Sequence, residues 1–498
     1  MHASEPAGLL HTIERLVAVG ERACGTPGGA DAAGELRRAF RRLGLDVHEE
    51  SFRFLRSTVT SSALLHAGTQ LPHLPLAYGG AGAAKGEAID GGIGESDLAD
   101  RPDARGAIVL VRRDPVRHRQ AQYAACVEAG ASAMVLVCTA PADRVQDGSV
   151  REAWEGPGPI PCIAVGAETG ARLLERAAAG RLSLELFVDA VHAPATGRNL
   201  VATVEGPGLF RGIEVGAHYD AWGPGAVDNA SGCAGLVGVA EHLIRTPPPS
   251  PVRLVAFDGE EIGLLGAWHR VRHRGAGPGV LIDLEMPSSR EAMLRALAIT
   301  SSAACNDAAR QSGLAACYEL AGPMAAAPDL FGGYIPADVW PFYLAGLGAL
   351  CTVCDTPHYH TAGDLPDTVD AAALARVAET TAEAARLLAG SEPAALAGRD
   401  VPRATIAAAE RAGALEVEAT FRWEDGAVPQ GDEPVELLAF ADDFRLVARV
   451  PATRGNDDRW RARIALHGAD GPLDLTVHRT AGAESAEAHL RWSRTPCR

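Results

Sequence analysis

Hydrophobic positions along this chain follow two periods, and the switches between them mark its elements. Four short, nearly unbroken apolar runs end in acids or histidine. Residues 213–217 lead to His218 and Asp220, with Asp228 ten positions past the histidine. Leu254–Phe257 leads to Asp258 and the adjacent pair Glu260 and Glu261. Val280–Ile282 ends on Asp283, and Leu350–Val353 leads into Asp355, His358, Tyr359 and His360. Runs of this kind suit parallel strands buried on both faces. A three-to-four spacing predicts helices elsewhere. Leu36, Phe40 and Leu43 share a face that Gly44 stops; Ser231–Arg245 is closed by Pro247–Pro249; Asp370–Leu388 aligns Leu374, Val377, Thr381, Ala385 and Leu388. The pattern predicts an α/β fold with a mixed, mostly parallel sheet flanked by helices.

Two regions depart from that pattern. Between about 71 and 190, strands are predicted at 106–113, 133–137 and 160–165, with a helix from Gln120 to Gly130. From about 396 onward, a short helix near Arg403–Arg411 is followed by strand-like segments at 415–423, 436–450, 459–467, 473–478 and 487–492, separated by turn signals such as Glu424-Asp425-Gly426. The expected organisation is a discontinuous catalytic domain (1–70 and 191–395), an insertion (71–190) and a small C-terminal β domain (396–498).

Composition narrows the function classes. The chain has 498 residues, a formal charge of -17 and only one lysine, Lys85, so nucleic acid is not an expected partner. Ten cysteines lie scattered, and Cys351 and Cys354 fall in an apolar run that reads as buried thiols. The first twenty residues show no basic start and no long apolar core, with Glu14 and Arg15 interrupting them, and no stretch has the length of a membrane span. A cytoplasmic protein without a membrane partner is expected. The oligomeric state is not legible, a homodimer being one option.

Four strand ends loaded with imidazole and carboxylate suggest a metal centre outside the carboxyl edge of the sheet. Mixed carboxylate and imidazole donors without thiolates suit zinc in a catalytic site. His218, Asp228, Glu261, Asp283 and His360 are too many for one four-coordinate ion with an open position. They fit two ions roughly 3.5–4 Å apart with a bridging carboxylate. Glu260 is then spare, beside a ligand, where a general base belongs.

In order, HYD, VDNASG, GEEIGLLGA, IDLE and YHTAGD resemble the motif series of the M28 family of di-zinc peptidases, and Gly25-Thr26-Pro27-Gly28 resembles that family's opening turn. The resemblance implies two zinc ions per chain, one held by His218 and Asp283 and one by Glu261 and His360, with Asp228 bridging. It further implies that Glu260 is the base, that Asp220 orients His218, and that a cis peptide follows Asp228. The insertion resembles a protease-associated (PA) domain, a β-rich module that would wall the substrate channel or act as a spacer. Within it His118, between Arg117 and Arg119, is expected to be exposed. Where the family commonly shows Ser-Asp-His, this chain has Ala337-Asp338-Val339, which bears on substrate preference. Tyr334, Trp340 and Phe342 would line an apolar pocket or pack in the core, and Tyr359 would hydrogen-bond the tetrahedral intermediate or simply pack its ring.

The implied activity is metal-dependent removal of N-terminal residues from peptides. Glutaminyl cyclisation by single-zinc relatives is the alternative, which the insertion disfavours. A glutamate-preferring carboxypeptidase would need clustered arginines, and 290–345 offers only Arg290, Arg295 and Arg310. A receptor-like relative without catalysis is disfavoured by the intact ligand set.

Overall fold

The computed structural model describes residues 2–274, 277–326, 335–431, 433–465, 471–481 and 485–493. The chain opens with helices α1 (Pro6–Val17) and α2 (Pro27–Arg42). The second starts where it does because the Thr26 hydroxyl accepts the Gly29 amide at 3.0 Å, with Pro27 at a position that needs no donor. Strand β1 (Val47–His66) then leads into the insertion.

The insertion is built from β2 (Gly82–Asp90), β3 (Ile108–Arg112), α3 (Arg119–Glu128), β4 (Ala133–Val137), β5 (Cys162–Val165) and α4 (Ala167–Ala178). Its strands β2 to β5 are parallel neighbours and their apolar side chains form its core. Strand β6 (Ser183–Val204) returns antiparallel to β1, paired from Leu65↔Glu185 to Val47↔Ala202. Position 190, taken from the sequence as a boundary, lies inside β6, so one ladder ties the insertion to the rest.

The parallel core follows: β7 (Ile213–His218), α5 (Ser231–Arg245), β8 (Val252–Phe257), α6 (Leu265–His273) and β9 (Val280–Leu284). Next come β10 (Arg295–Ile299), α7 (Ala303–Gln311), β11 (Leu320–Pro323), α8 (Val339–Leu344), β12 (Gly348–Cys354) and α9 (Ala371–Gly390). The twelve strands, with the short strands Thr69–Gln70 and Leu74–Pro75, form one 14-stranded sheet in which β12, β9, β7 and β8 are parallel neighbours. The four runs singled out by hydropathy are these strands, buried along nearly their whole length. Helices α1, α2, α5, α7 and α9 pack on one face, and α6 and α8 on the other. Close packing at α5 depends on glycine. A Cβ on Gly232 would lie 2.2 Å from the Leu284 carbonyl oxygen.

Beyond α9 the chain forms two four-stranded antiparallel sheets. One contains β13 (Arg403–Arg411), β14 (Ala414–Arg422) and a later strand, Trp460–Ala465; the other is built from Val435–Phe440, Leu446–Pro451, Leu473–Arg479 and Ala486–Trp492. The expected helix at Arg403–Arg411 is instead a strand. Ala412 (φ 48) and Gly413 (φ 73) make a two-residue turn that brings β13 onto β14, and that pairing overrides the helical preference of Ala407–Ala409. The inner faces, with Leu415, Phe421, Leu437 and Val477, share one core with Phe257, Val271 and Phe342 of β8, α6 and α8. Among the described residues no helix is long and apolar enough to cross a membrane.

Candidate metal centre

Each strand end delivers its chemistry to one place. His218 is the last residue of β7, Glu260 and Glu261 follow β8, Glu285 is the first residue past β9, and His360 lies in the turn after β12. Asp228 sits in the tight turn at Ala226–Ala230 that opens α5, with a cis peptide to Asn229. Asp228 Oδ1 lies 3.3 Å from His218 Nε2, and its Oδ2 lies 3.0 Å from His360 Nε2. Each histidine also faces its own glutamate, with Glu285 3.3 Å from His218 Nε2 and Glu261 3.1 Å from His360 Nε2. Glu260 approaches His218 at 4.0 Å.

Glu285 takes the place that the sequence assigned to Asp283. The Asp283 side chain is fully buried within β9, and its Oδ2 accepts the Val339 amide at 2.8 Å, which fixes the start of α8. Two residues of strand, roughly 6–7 Å of chain, separate it from the carboxyl edge where His218 lies. Glu285, past that edge and one methylene longer, reaches the histidine. The sequence signal was the second acid of IDLE.

The surroundings hold these groups from behind. Asp220 accepts the main-chain amides of Glu260 and Glu261, both at 3.2 Å, and its own carbonyl lies 3.0 Å from His218 Nδ1. Asp364, the last residue of YHTAGD and not singled out from sequence, accepts the amides of Val227 (2.8 Å) and Asp228 (3.0 Å). Asn229 accepts from Gly232 and Met286 and donates to the Leu284 carbonyl at 2.9 Å, linking α5 to the end of β9. Arg22, wholly buried, donates to the carbonyls of Tyr219 (3.0 Å), Pro224 (2.5 Å) and Gly225 (2.9 Å), and so shapes the loop between His218 and Asp228. Stripping those donors leaves the buried carbonyls of Tyr219 and Gly225 unpaired, at about 1–3 kcal/mol each. Arg22→Met should therefore lose at least ~2 kcal/mol of stability by that same bookkeeping. An unchanged urea midpoint would contradict this role.

The insertion reaches into the same network. Asp147 donates its amide to the His360 carbonyl at 2.9 Å, and its own carbonyl lies 3.2 Å from His360 Nδ1. That acceptor places the ring proton on Nδ1 and leaves Nε2 to face Asp228 and Glu261. Gln146 donates to the Tyr359 carbonyl at 3.2 Å, and Ser149 to the Glu261 carbonyl at 3.1 Å. His118 is not exposed as expected. The loop carrying it folds over the site, anchored by buried Arg119 donating to the Ser149 carbonyl at 2.8 Å. There His118 lines a cavity of about 370 Å³ with Arg113, Val116, Gln146, Asp228, Glu260, Glu285, Ile335, Ala337, Val353 and Tyr359. Tyr359 stacks on His360 with ring centroids 3.7 Å apart. Trp340 and Phe342 pack in the core, Phe342 against Phe257 and Trp340 on Tyr343. Tyr334 lies outside the described residues.

Electrostatics show what this arrangement is built for. Asp220, Asp228, Asp258, Glu261, Asp283, Glu285 and Asp338 are all buried within the strand-end region. Burial, with the neighbouring carboxylates Asp228 and Glu261 adding to it, pushes Glu285 up to about 7; burial also raises Glu260 and Glu261. Burial opposes the charged form of His360, yet Glu261 and Asp228 outweigh it and lift its pKa to about 9. His218 Nε2, His360 Nε2, Glu261 Oε1 and Glu285 Oε2 are buried without a hydrogen-bond partner. Unpartnered donors of this chemistry, converging where negative charge is in excess, fit divalent cations.

Residues 199–385 match the model of peptidase family M28, and residues 73–173 match that of the PA domain. The chain is 28% identical over 273 residues to aminopeptidase YwaD of Bacillus subtilis, covering 53% of this chain and 56% of that protein. It is 27% identical over 301 residues to an aminopeptidase of Pseudomonas aeruginosa, covering 55% and 54%. The chain thus spans about half the length of these curated relatives. Its fold is similar to that of a zinc aminopeptidase from Bacillus subtilis (TM-score 0.60, 22% identity, 76% of this chain and 94% of that one). A peptidase M28 precursor from Shewanella amazonensis is similar too (TM-score 0.63, 21% identity, 77% and 93%).

Proposed function

We propose that the chain, whose residues 199–385 match peptidase family M28, is a zinc-dependent aminopeptidase with two metal sites sharing Asp228. The observation carrying this reading is the position of Asp228, whose two oxygens face two histidines, each with its own glutamate. His218 and Glu285 would hold one ion, and His360 and Glu261 the other. Bound there, the ions would polarise the scissile carbonyl and acidify water. The remaining work belongs to the chain. Glu260, lining the cavity, takes the proton of the attacking water and returns it to the leaving amine. Tyr359 flanks the same space, and the carboxylate excess favours a cationic N-terminal amine.

The zinc-loaded chain should cleave reporters bearing a free aminoacyl group and leave their N-acetylated counterparts intact. Equal cleavage of both would overturn the aminopeptidase reading. The insertion also has a part in metal binding, since Gln146 and Ser149 hold the main chain of Tyr359 and Glu261. Replacing both by alanine leaves every ligand atom in place. Zinc affinity, measured by competition with a chromophoric chelator, should fall about tenfold, the lower end for outer partners of ligands. Unchanged affinity would make the insertion a spacer as far as the metals are concerned.

A further inference from the structure

Arg113, just past the end of β3, faces the cavity that contains Asp228, Glu260 and Glu285. One of its terminal nitrogens donates to the carbonyl oxygens of Asp114 and Arg117. Among the described residues no carboxylate oxygen lies within 4.0 Å of its guanidinium. The nearest acid in sequence, Asp114, is occupied within its own loop, where Oδ1 accepts the amides of Val116 (2.9 Å) and Arg117 (2.6 Å). Asp114 favours the charged form of Arg113 from a distance, and Arg119 opposes it. A shielded guanidinium with no carboxylate in contact is unusual, above all in a chain with a formal charge of -17.

The cavity is therefore bipolar. Asp228, Glu260 and Glu285 line it together with Arg113, and Val116, Leu294, Ile335 and Val353 supply apolar wall. A ligand matching all three carries an amine, an apolar side chain and a carboxylate. A cavity of about 370 Å³ has room for a di- or tripeptide. Resting on the peptidase reading above, we infer that the preferred substrates are di- or tripeptides with a free carboxyl terminus, and that Arg113 receives that carboxylate. A planar fork of donors suits a carboxylate in a way that a point charge does not.

The test uses the full zinc-loaded chain carrying Glu260→Gln, so that peptides bind without turnover. Calorimetry compares leucyl-leucine, leucyl-leucine amide and leucyl-aspartic diamide. Leucyl-leucine should bind at least about tenfold more tightly than its amide, and Arg113→Ala should collapse that ratio toward one. Arg113→Lys, which keeps the charge but loses the fork, should show an intermediate ratio and controls for disruption of the loop. The inference is overturned if the parent binds acid and amide equally, or if Arg113→Ala leaves the ratio unchanged. It is also overturned if the diamide binds as tightly as leucyl-leucine, since the site would then read an acidic side chain. Turnover by the chain with Glu260 intact separates the two readings. If it hydrolyses none of the three while the binding ratio behaves as expected, the carboxylate site stands and the peptidase reading fails.

Discussion

Glu260→Gln should retain the metal content of the parent and lose at least about 10²-fold in turnover, the lower end of what a positioned general base contributes. The amide keeps the shape of the side chain, and the Glu260 main chain stays held by Asp220 at 3.2 Å. What is lost is the basic oxygen facing the cavity. Glu261→Gln is the necessary contrast. Glu261 approaches His360 at 3.1 Å and belongs to a buried donor set with His218 and Asp228, so its neutralisation should release metal together with activity. Metal analysis and turnover on the same samples distinguish the two. A Glu260→Gln chain that lost its zinc while Glu261→Gln kept it would exchange their roles.

The second large effect separates two acids only two residues apart. Glu285→Gln should lose the ion on the His218 side and most activity with it, because Glu285 and Asp228 are the carboxylates at 3.3 Å from His218 Nε2. Asp283→Asn should keep both ions, since its carbonyl oxygen can still accept the Val339 amide. Zinc content per chain measures the difference. Loss of one ion from Asp283→Asn with full occupancy in Glu285→Gln would restore the assignment read from the sequence.

That near miss shows where sequence reasoning reaches its limit. The ends of β7, β8, β9 and β12 were legible because a strand buried on both faces leaves an unbroken apolar run, and the first polar residues after it mark the carboxyl edge. Which of two acids clears that edge depends on the last paired residue. Hydropathy places that boundary only to within a residue or two, and here Leu284 divided Asp283 from Glu285. The strand at Arg403–Arg411 failed for a different reason. Alanine-rich sequence favours a helix locally, and only the long-range ladder with β14 decides otherwise. His118, Gln146 and Asp147 could not be placed, because their contacts with Tyr359, His360 and the cavity span more than two hundred residues. Arg22 was equally hidden, as a single arginine before the Gly25-Thr26-Pro27-Gly28 turn carries no sign that it will be buried beneath the loop it supports.

The most direct test of the central claim is a zinc titration of the chelator-stripped full chain, following bound metal and release of an N-terminal residue together. The shared position of Asp228 between two imidazoles predicts that binding continues to two ions per chain. Activity should be absent from the stripped protein and restored as zinc binds. Saturation at one ion per chain, or undiminished activity after complete removal of metal, would contradict it.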